Sequence, residues 1–204
     1  MESLADKLKS LGVVPAKKVP QPQRVVPALE EVIPGVEVQN SLGSCYLSRS
    51  DFPSGYKHGD IDFSTAISTR EISSVSKPAK SGIETNSDGL FFLDTETTGL
   101  AGGTGTFAFL VGIGYQIEQG FRVDQYLIRD PGEEACMLLE LSNFFEKSSV
   151  ISTFNGKSFD VPLLNTRYTL NRLPLPFDHM NHLDLLHLSR RLWRNRLESR
   201  ALQD

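Results

Sequence analysis

The sequence predicts an α/β domain, a mixed sheet with helices on both faces, carried behind an irregular N-terminal extension. Three observations predict it. From Leu90 onward, three apolar segments of strand length follow one another directly, and helix-like and strand-like segments then alternate. Five of the eleven prolines fall before residue 35, which favours an extended tether there over a packed unit. The composition also changes after Ser87, dividing the chain into residues 1–80 and a folded unit over residues 88–204.

In the first part, Leu4, Leu8 and Leu11 recur at helical spacing behind Ser3, which predicts one short amphipathic helix. Pro15 to Pro27 reads as an extended tether. Gly35 to Leu47 reads as a small hairpin, with Val36 and Val38 alternating, a turn at Asn40–Gly43 and a return through Tyr46 and Leu47. A weak helix is expected around Thr65–Ile72, ended by Pro78. This part reads as an adaptor or flap, with residues 1–30 as the segment offered to a protein partner.

In the second part, Leu90–Leu93 is a continuous apolar run of the kind buried on both faces. Thr106–Tyr115 and Phe121–Ile128 are the second and third strands. Pro131, Glu133 and Glu134 open a helix, since proline suits the first turn and acids oppose the positive end of the dipole. That helix runs to about Lys147; Ser149–Phe154 is a strand, Val161–Leu170 a helix, His182–Asp184 a short strand and Leu185–Trp193 a helix.

Composition excludes several classes. The chain has 204 residues, 39% of them hydrophobic, which argues against full disorder, and a net charge of −4, which argues against a general basic coat. No run of 18 apolar residues suggests a membrane span, and the N-terminus lacks a secretory pattern, so the expected location is cytoplasmic. Cys45 and Cys136 are too few for a disulfide framework.

Three carboxylates carry the candidate chemistry. Asp94 and Glu96 lie two apart where the first strand runs out, so both face one side with α-carbons roughly 6.6 Å apart. Asp160 opens the helix after the fourth strand and can project over the strand ends, where open α/β sheets bind ligands. All-oxygen donors suit Mg²⁺ or Mn²⁺, and two such cations about 3.5–4 Å apart support in-line attack on a phosphodiester. Taken singly, Asp94 reads better as a turn cap and Asp160 as a helix N-cap; the three together, in this order and context, point to the chemistry.

Phe92 to Leu100, through Asp94-Thr95-Glu96-Thr97-Thr98-Gly99, resembles the first motif of DnaQ-like (DEDD) 3′–5′ exonucleases, and Asn155 to Asp160 resembles their second. Gly102–Thr106, Arg129–Glu134 and Thr153–Asp160 are more closely similar to the YprB-type ribonuclease H-like domain, a likeness covering about residues 88–200 and, less specifically, Ile33–Gly59. The resemblance implies a ribonuclease H-like sheet of order 3-2-1-4-5 and two-metal hydrolysis that releases nucleotides from a DNA or RNA 3′ end. In that reading Asp94, Glu96 and Asp160 bind the metals. Thr97, Thr98, Gly99 and Leu100 meet the terminal nucleotide, with Asn155 nearby. The family pattern also has a fourth carboxylate on a late helix behind a His or Tyr base. Asp178, Asp184, Glu198 and Asp204 are the later acids, and none has that context. The expectation is therefore a truncated chain or an impaired, nucleic-acid-binding relative of the nucleases.

Gly103 to Ala108 fits G-x-G-x-x-A, but a strand follows where a dinucleotide site needs a helix. His179, His182, Asp184 and His187 crowd together, yet Asp184 reads better as the cap of the helix at Leu185. Arg190 and Arg194 fall on one side of the last helix with Arg191 next to them; with Lys157 they are candidate phosphate contacts, and a solvated charged helix end is the equal alternative.

Overall fold

The computed structural model describes residues 27–62, 89–99, 105–194 and 196. The expected helix around Leu4–Leu11, nearly all of the proline-rich tether, the weak helix around Thr65–Ile72 and Leu100 lie outside those residues. Met1–Val32 and Ile33–Asp204 are two compact units. In the first, the described stretch carries a single helical turn, α1 (Leu29–Val32).

The second unit is built on a seven-stranded mixed sheet. Its strands are β1 (Val36–Asn40), β2 (Gly43–Pro53), β5 (Leu90–Thr97), β6 (Ala108–Ile117), β7 (Gly120–Leu127), β8 (Val150–Thr153) and β9 (Asn181–Asp184). A separate two-stranded ribbon pairs β3 (Lys57–His58) with β4 (Ile61–Asp62). Across the large sheet the order is β1-β2-β7-β6-β5-β8-β9. The last five positions in that order reproduce the 3-2-1-4-5 arrangement that the resemblance implies. β5, β6 and β7 are antiparallel neighbours, whereas β8 lies parallel to β5 and β9 parallel to β8. The parallel steps require crossovers, which α2 (Glu134–Phe145) and α3 (Asp160–Leu170) supply. A last helix, α4 (Leu185–Leu192), follows β9 directly.

Local chemistry explains the element boundaries. A 3₁₀ turn at Pro131–Glu133 leads into α2, with the Asp130 carboxylate accepting the Gly132 N–H at 2.7 Å. Gly120, at φ +144°, turns β6 into β7, where an added Cβ would lie 2.0 Å from the Phe52 carbonyl oxygen. Phe91, Leu93, Val111, Ile113, Tyr126 and Ile128 form one core cluster with Cys136, Leu138, Leu141 and Phe145 of α2 and Leu164 and Tyr168 of α3. Phe91 anchors the central strand, stacking on Phe145 at 5.1 Å between ring centroids and meeting Phe144 edge-on at 5.4 Å.

The hairpin read within the extension is present, and its second strand is longer than the pattern suggests. β2 continues to Pro53 and pairs with β7 from Tyr46↔Leu127 to Pro53↔Gly120, so the hairpin widens the sheet by two strands. Its outer half is polar because ions cross the seam. Arg49 donates to both carboxylate oxygens of Asp124 at 2.6 and 2.8 Å, and Arg122 donates to Asp51 at 2.6 and 2.7 Å. Asp124 is buried and also receives the Tyr115 hydroxyl at 3.0 Å. Cys45 and Cys136 are buried free thiols in contact at 3.7 Å between sulfurs, where burial pushes both thiol pKa values up. Among the described residues, no helix is long and apolar enough to cross a membrane.

The two seam pairs differ in worth because one carboxylate is buried and the other is half exposed. Removing the partner of a buried charge costs about 3 kcal/mol, whereas an exposed pair contributes about 0–1 kcal/mol. Urea unfolding should therefore show Arg49→Ala losing clearly more stability than Arg122→Ala. Equal losses would contradict this account of the seam.

Candidate active site at the tip of the central strand

β5 and β8 have unequal reach. Their parallel register ends at Phe92↔Ser152, while β5 continues to Thr97 against β6. Among the described residues, the end of β5 is thus unpaired on the β8 side, and the chain leaving β8 turns into α3. Asp160, the first residue of α3, is 7% exposed and accepts the Thr95 hydroxyl at 2.5 Å. Asp94 and Glu96 flank Thr95 and are exposed.

The electrostatics of Asp160 follow from that placement. Burial raises its pKa most, the Thr95 hydroxyl opposes the rise, and the nearby Asp94 charge adds to it. The net direction is upward. A cation beside such a carboxylate would offset both the burial and the repulsion, and its oxygen donors match the hard cations Mg²⁺ and Mn²⁺. Asp94 acts on Asp160, whereas Glu96 is not among the principal influences on it. Among the described residues, no three His, Cys, Asp or Glu side chains are gathered closely enough to hold a metal ion together.

The loop before Asp160 is held at several points. Asn155 sits in the left-handed region at φ +66°. Its N–H donates to Asp184 Oδ1 at 2.9 Å, and the Lys157 N–H donates to Asp184 Oδ2 at 3.0 Å. Leu186 N–H also donates to Oδ1, at 3.0 Å, so the same carboxylate caps α4. Asp184 is buried, which raises its pKa, yet the N–H groups of Lys157, Asn155 and Leu186 outweigh that effect and hold it low. Gly156 packs so tightly that an added Cβ would lie 2.5 Å from Thr153 Cβ. Within the loop, Ser158 N–H bonds the Asn155 carbonyl and Val161 N–H the Gly156 carbonyl.

At the mouth of β5, a bulge falls between Glu96 and Thr97, Thr97 Oγ1 donates to the Gly99 carbonyl and Thr98 N–H donates to the Phe107 carbonyl. Thr97 is half-buried, and Thr98 and Gly99 are exposed. Lys157 is exposed. His187, Arg190, Arg191 and Arg194 line an open surface depression of about 650 Å³. Trp193, at the end of α4, is 43% exposed. Sequence reasoning missed Thr95, whose neighbours Asp94 and Glu96 drew attention, although its hydroxyl is what meets Asp160.

A sheet of this order, with an Asp-x-Glu pair at the tip of its first core strand and an Asp opening the helix behind the fourth, defines a ribonuclease H-like domain. Residues 91–204 match the RNase_H superfamily model, and the chain belongs to that superfamily. It is 36% identical over 161 residues to the uncharacterized protein YprB of Bacillus subtilis (strain 168), covering 78% of this chain and 39% of that protein. The chain thus spans about two fifths of that relative's length. Among solved structures it is similar to exonuclease I, in the structure that suggests how processivity is achieved: 17% identity, TM-score 0.44, 53% of this chain and 30% of the other. It is also similar to E. coli exonuclease I in complex with a dT13 oligonucleotide: 18% identity, TM-score 0.42, 55% and 31%.

The site has a built-in pH response. His182 on β9 is held 2.8 Å from Thr153 Oγ1, and burial, then the Lys157 charge, lowers its pKa to about 4, with Asp184 opposing and His187 assisting. In the unfolded chain it titrates near the ordinary value of about 6.5. As pH falls below that value the unfolded state takes up the proton first, so the neutral ring's contribution is complete above about 6.5 and declines toward pH 4. Denaturant unfolding of His182→Gln should lose less stability between pH 7 and 4.5 than the native chain; parallel profiles would contradict the assignment.

Proposed function

We propose that this domain hydrolyses nucleic-acid phosphodiesters as a metal-dependent 3′–5′ exonuclease. The observation that carries the reading is the meeting of Asp160 with the tip of β5, beside Asp94 and against Thr95. Asp94, Glu96 and Asp160 would hold Mg²⁺ or Mn²⁺. Asp94 and Glu96 are exposed, and this reading needs their side chains to turn toward Asp160 when a cation binds. When bound, a pair of such cations supplies Lewis-acid stabilisation of the attacking and leaving oxygens.

The chain's own residues do the rest. Thr95 fixes the Asp160 carboxylate through its hydroxyl, keeping one oxygen oriented. The Thr97–Leu100 segment and Asn155 would border the terminal nucleotide. Lys157, Arg190, Arg191 and Arg194 would meet backbone phosphates, for which planar guanidinium groups are well matched. Belonging to the RNase_H superfamily supports this reading.

A second reading is favoured by one observation. Beyond Asp160, the described acids are Asp178, which is exposed, and Asp184, whose carboxylate is engaged by three N–H groups. Neither offers a fourth ligand, and the domain would then bind a nucleic-acid end and cut it slowly or not at all.

Single-stranded DNA and RNA oligonucleotides labelled at the 5′ end distinguish the two. With Mn²⁺, the nuclease reading predicts a ladder shortened from the 3′ end, abolished by chelator and slowed at least about 100-fold by Asp94→Asn. Intact oligonucleotide with measurable binding, weakened by Arg190→Ala and Arg194→Ala together, supports the binding module. Neither cleavage nor binding would overturn both.

A further inference from the structure

Asp184 belongs to no element of the proposed chemistry, yet it is buried at 3% exposure and lies at the junction of β9 with α4. A helix cap needs one acceptor. Asp184 uses both oxygens, and two of its three donors belong to the loop on the neighbouring strand, 27 and 29 residues earlier in the chain. Those donors, Asn155 and Lys157, begin the segment that ends at Asp160.

We propose that Asp184 is the positioning residue of the site: by receiving the N–H groups of Asn155 and Lys157 it fixes the loop that delivers Asp160 to the tip of β5. The inference rests on the reading of Asp160 as a metal ligand and adds the group that places it. The chain of contacts is continuous. Asp184 holds the left-handed turn at Asn155, and Gly156 lets that turn close against Thr153. Hydrogen bonds from Ser158 and Val161 back to Asn155 and Gly156 carry the constraint into the first turn of α3. Thr95 meets Asp160 at the far end. A carboxylate is the side chain suited to the task, since every contact made to it is a donated N–H.

Asn at this position separates the two roles. Oδ1 receives Asn155 and Leu186, whereas Oδ2 receives Lys157 alone. Asp184→Asn can keep its oxygen on the first pair, preserving the α4 cap, and turns an amide NH₂ toward the Lys157 N–H. Asp184→Ala removes cap and loop anchor together.

The test uses the full chain and two readouts: hydrogen–deuterium exchange of peptides spanning 154–160, and Mn²⁺ affinity by electron paramagnetic resonance of the free ion. For Asp184→Asn the expected result is a melting temperature within a few degrees of native, loop exchange faster by tenfold or more, and Mn²⁺ affinity weakened five- to tenfold. Asp184→Ala should show larger changes in both, with faster exchange in α4 as well. Unchanged loop exchange in both variants would overturn the proposal. So would a loosened loop with native Mn²⁺ affinity, which makes Asp184 a structural anchor only. If the native chain binds no Mn²⁺, the metal-site reading fails separately, and the loop-exchange comparison alone decides whether Asp184 fixes the segment.

Discussion

The site depends on a mismatch in strand length. β5 is eight residues long and β8 only four, and their parallel pairing ends at Phe92 and Ser152. Beyond that point Asp160, at the start of α3, meets β5 through side chains: it receives the Thr95 hydroxyl and lies near enough to Asp94 to feel its charge. The early end of β8 lets the chain turn into α3 and bring this carboxylate to the end of β5.

The opposite side of the sheet is built for rigidity. β2 and β7 run side by side for eight residue pairs, and the seam is closed by one ion pair whose carboxylate is buried and one that is open to water. Phe91, between α2 residues and the sheet, ties the strand that bears Asp94 and Glu96 into the core. A strand whose root is packed in this way presents its tip at a defined place. The loop from Asn155 to Asp160 is positioned by hydrogen bonds in place of apolar contacts, so its accuracy depends on a few polar groups.

Much of the core was legible in the sequence because its signals are local. Leu90–Leu93 is a continuous apolar run, Asp94 and Glu96 end it, and Pro131 with its acids marks a helix start within a residue or two. The outer half of β2 was not legible. Ser48, Arg49, Ser50 and Asp51 carry no apolar alternation, since their stabilising partners Asp124 and Arg122 lie 75 and 71 residues away. The apolar pattern of the extension's hairpin consequently stops at Leu47, although β2 continues to Pro53. At the site, the acids were found by type and spacing. Asp184 was read as a helix cap, which it is, but its second duty depends on N–H groups brought close only by the pairing of β8 with β9.

The central claim is that the tip of β5 and the start of α3 form a single cation-binding unit. Adding Mn²⁺ to the ¹⁵N-labelled chain and following paramagnetic broadening of backbone amides tests it most directly. The account predicts that amides of 94–98 and 159–161 broaden first and together, and that Asp160→Asn removes the effect at both segments. Broadening that begins elsewhere on the acidic surface, or that survives unchanged in Asp160→Asn, would contradict it.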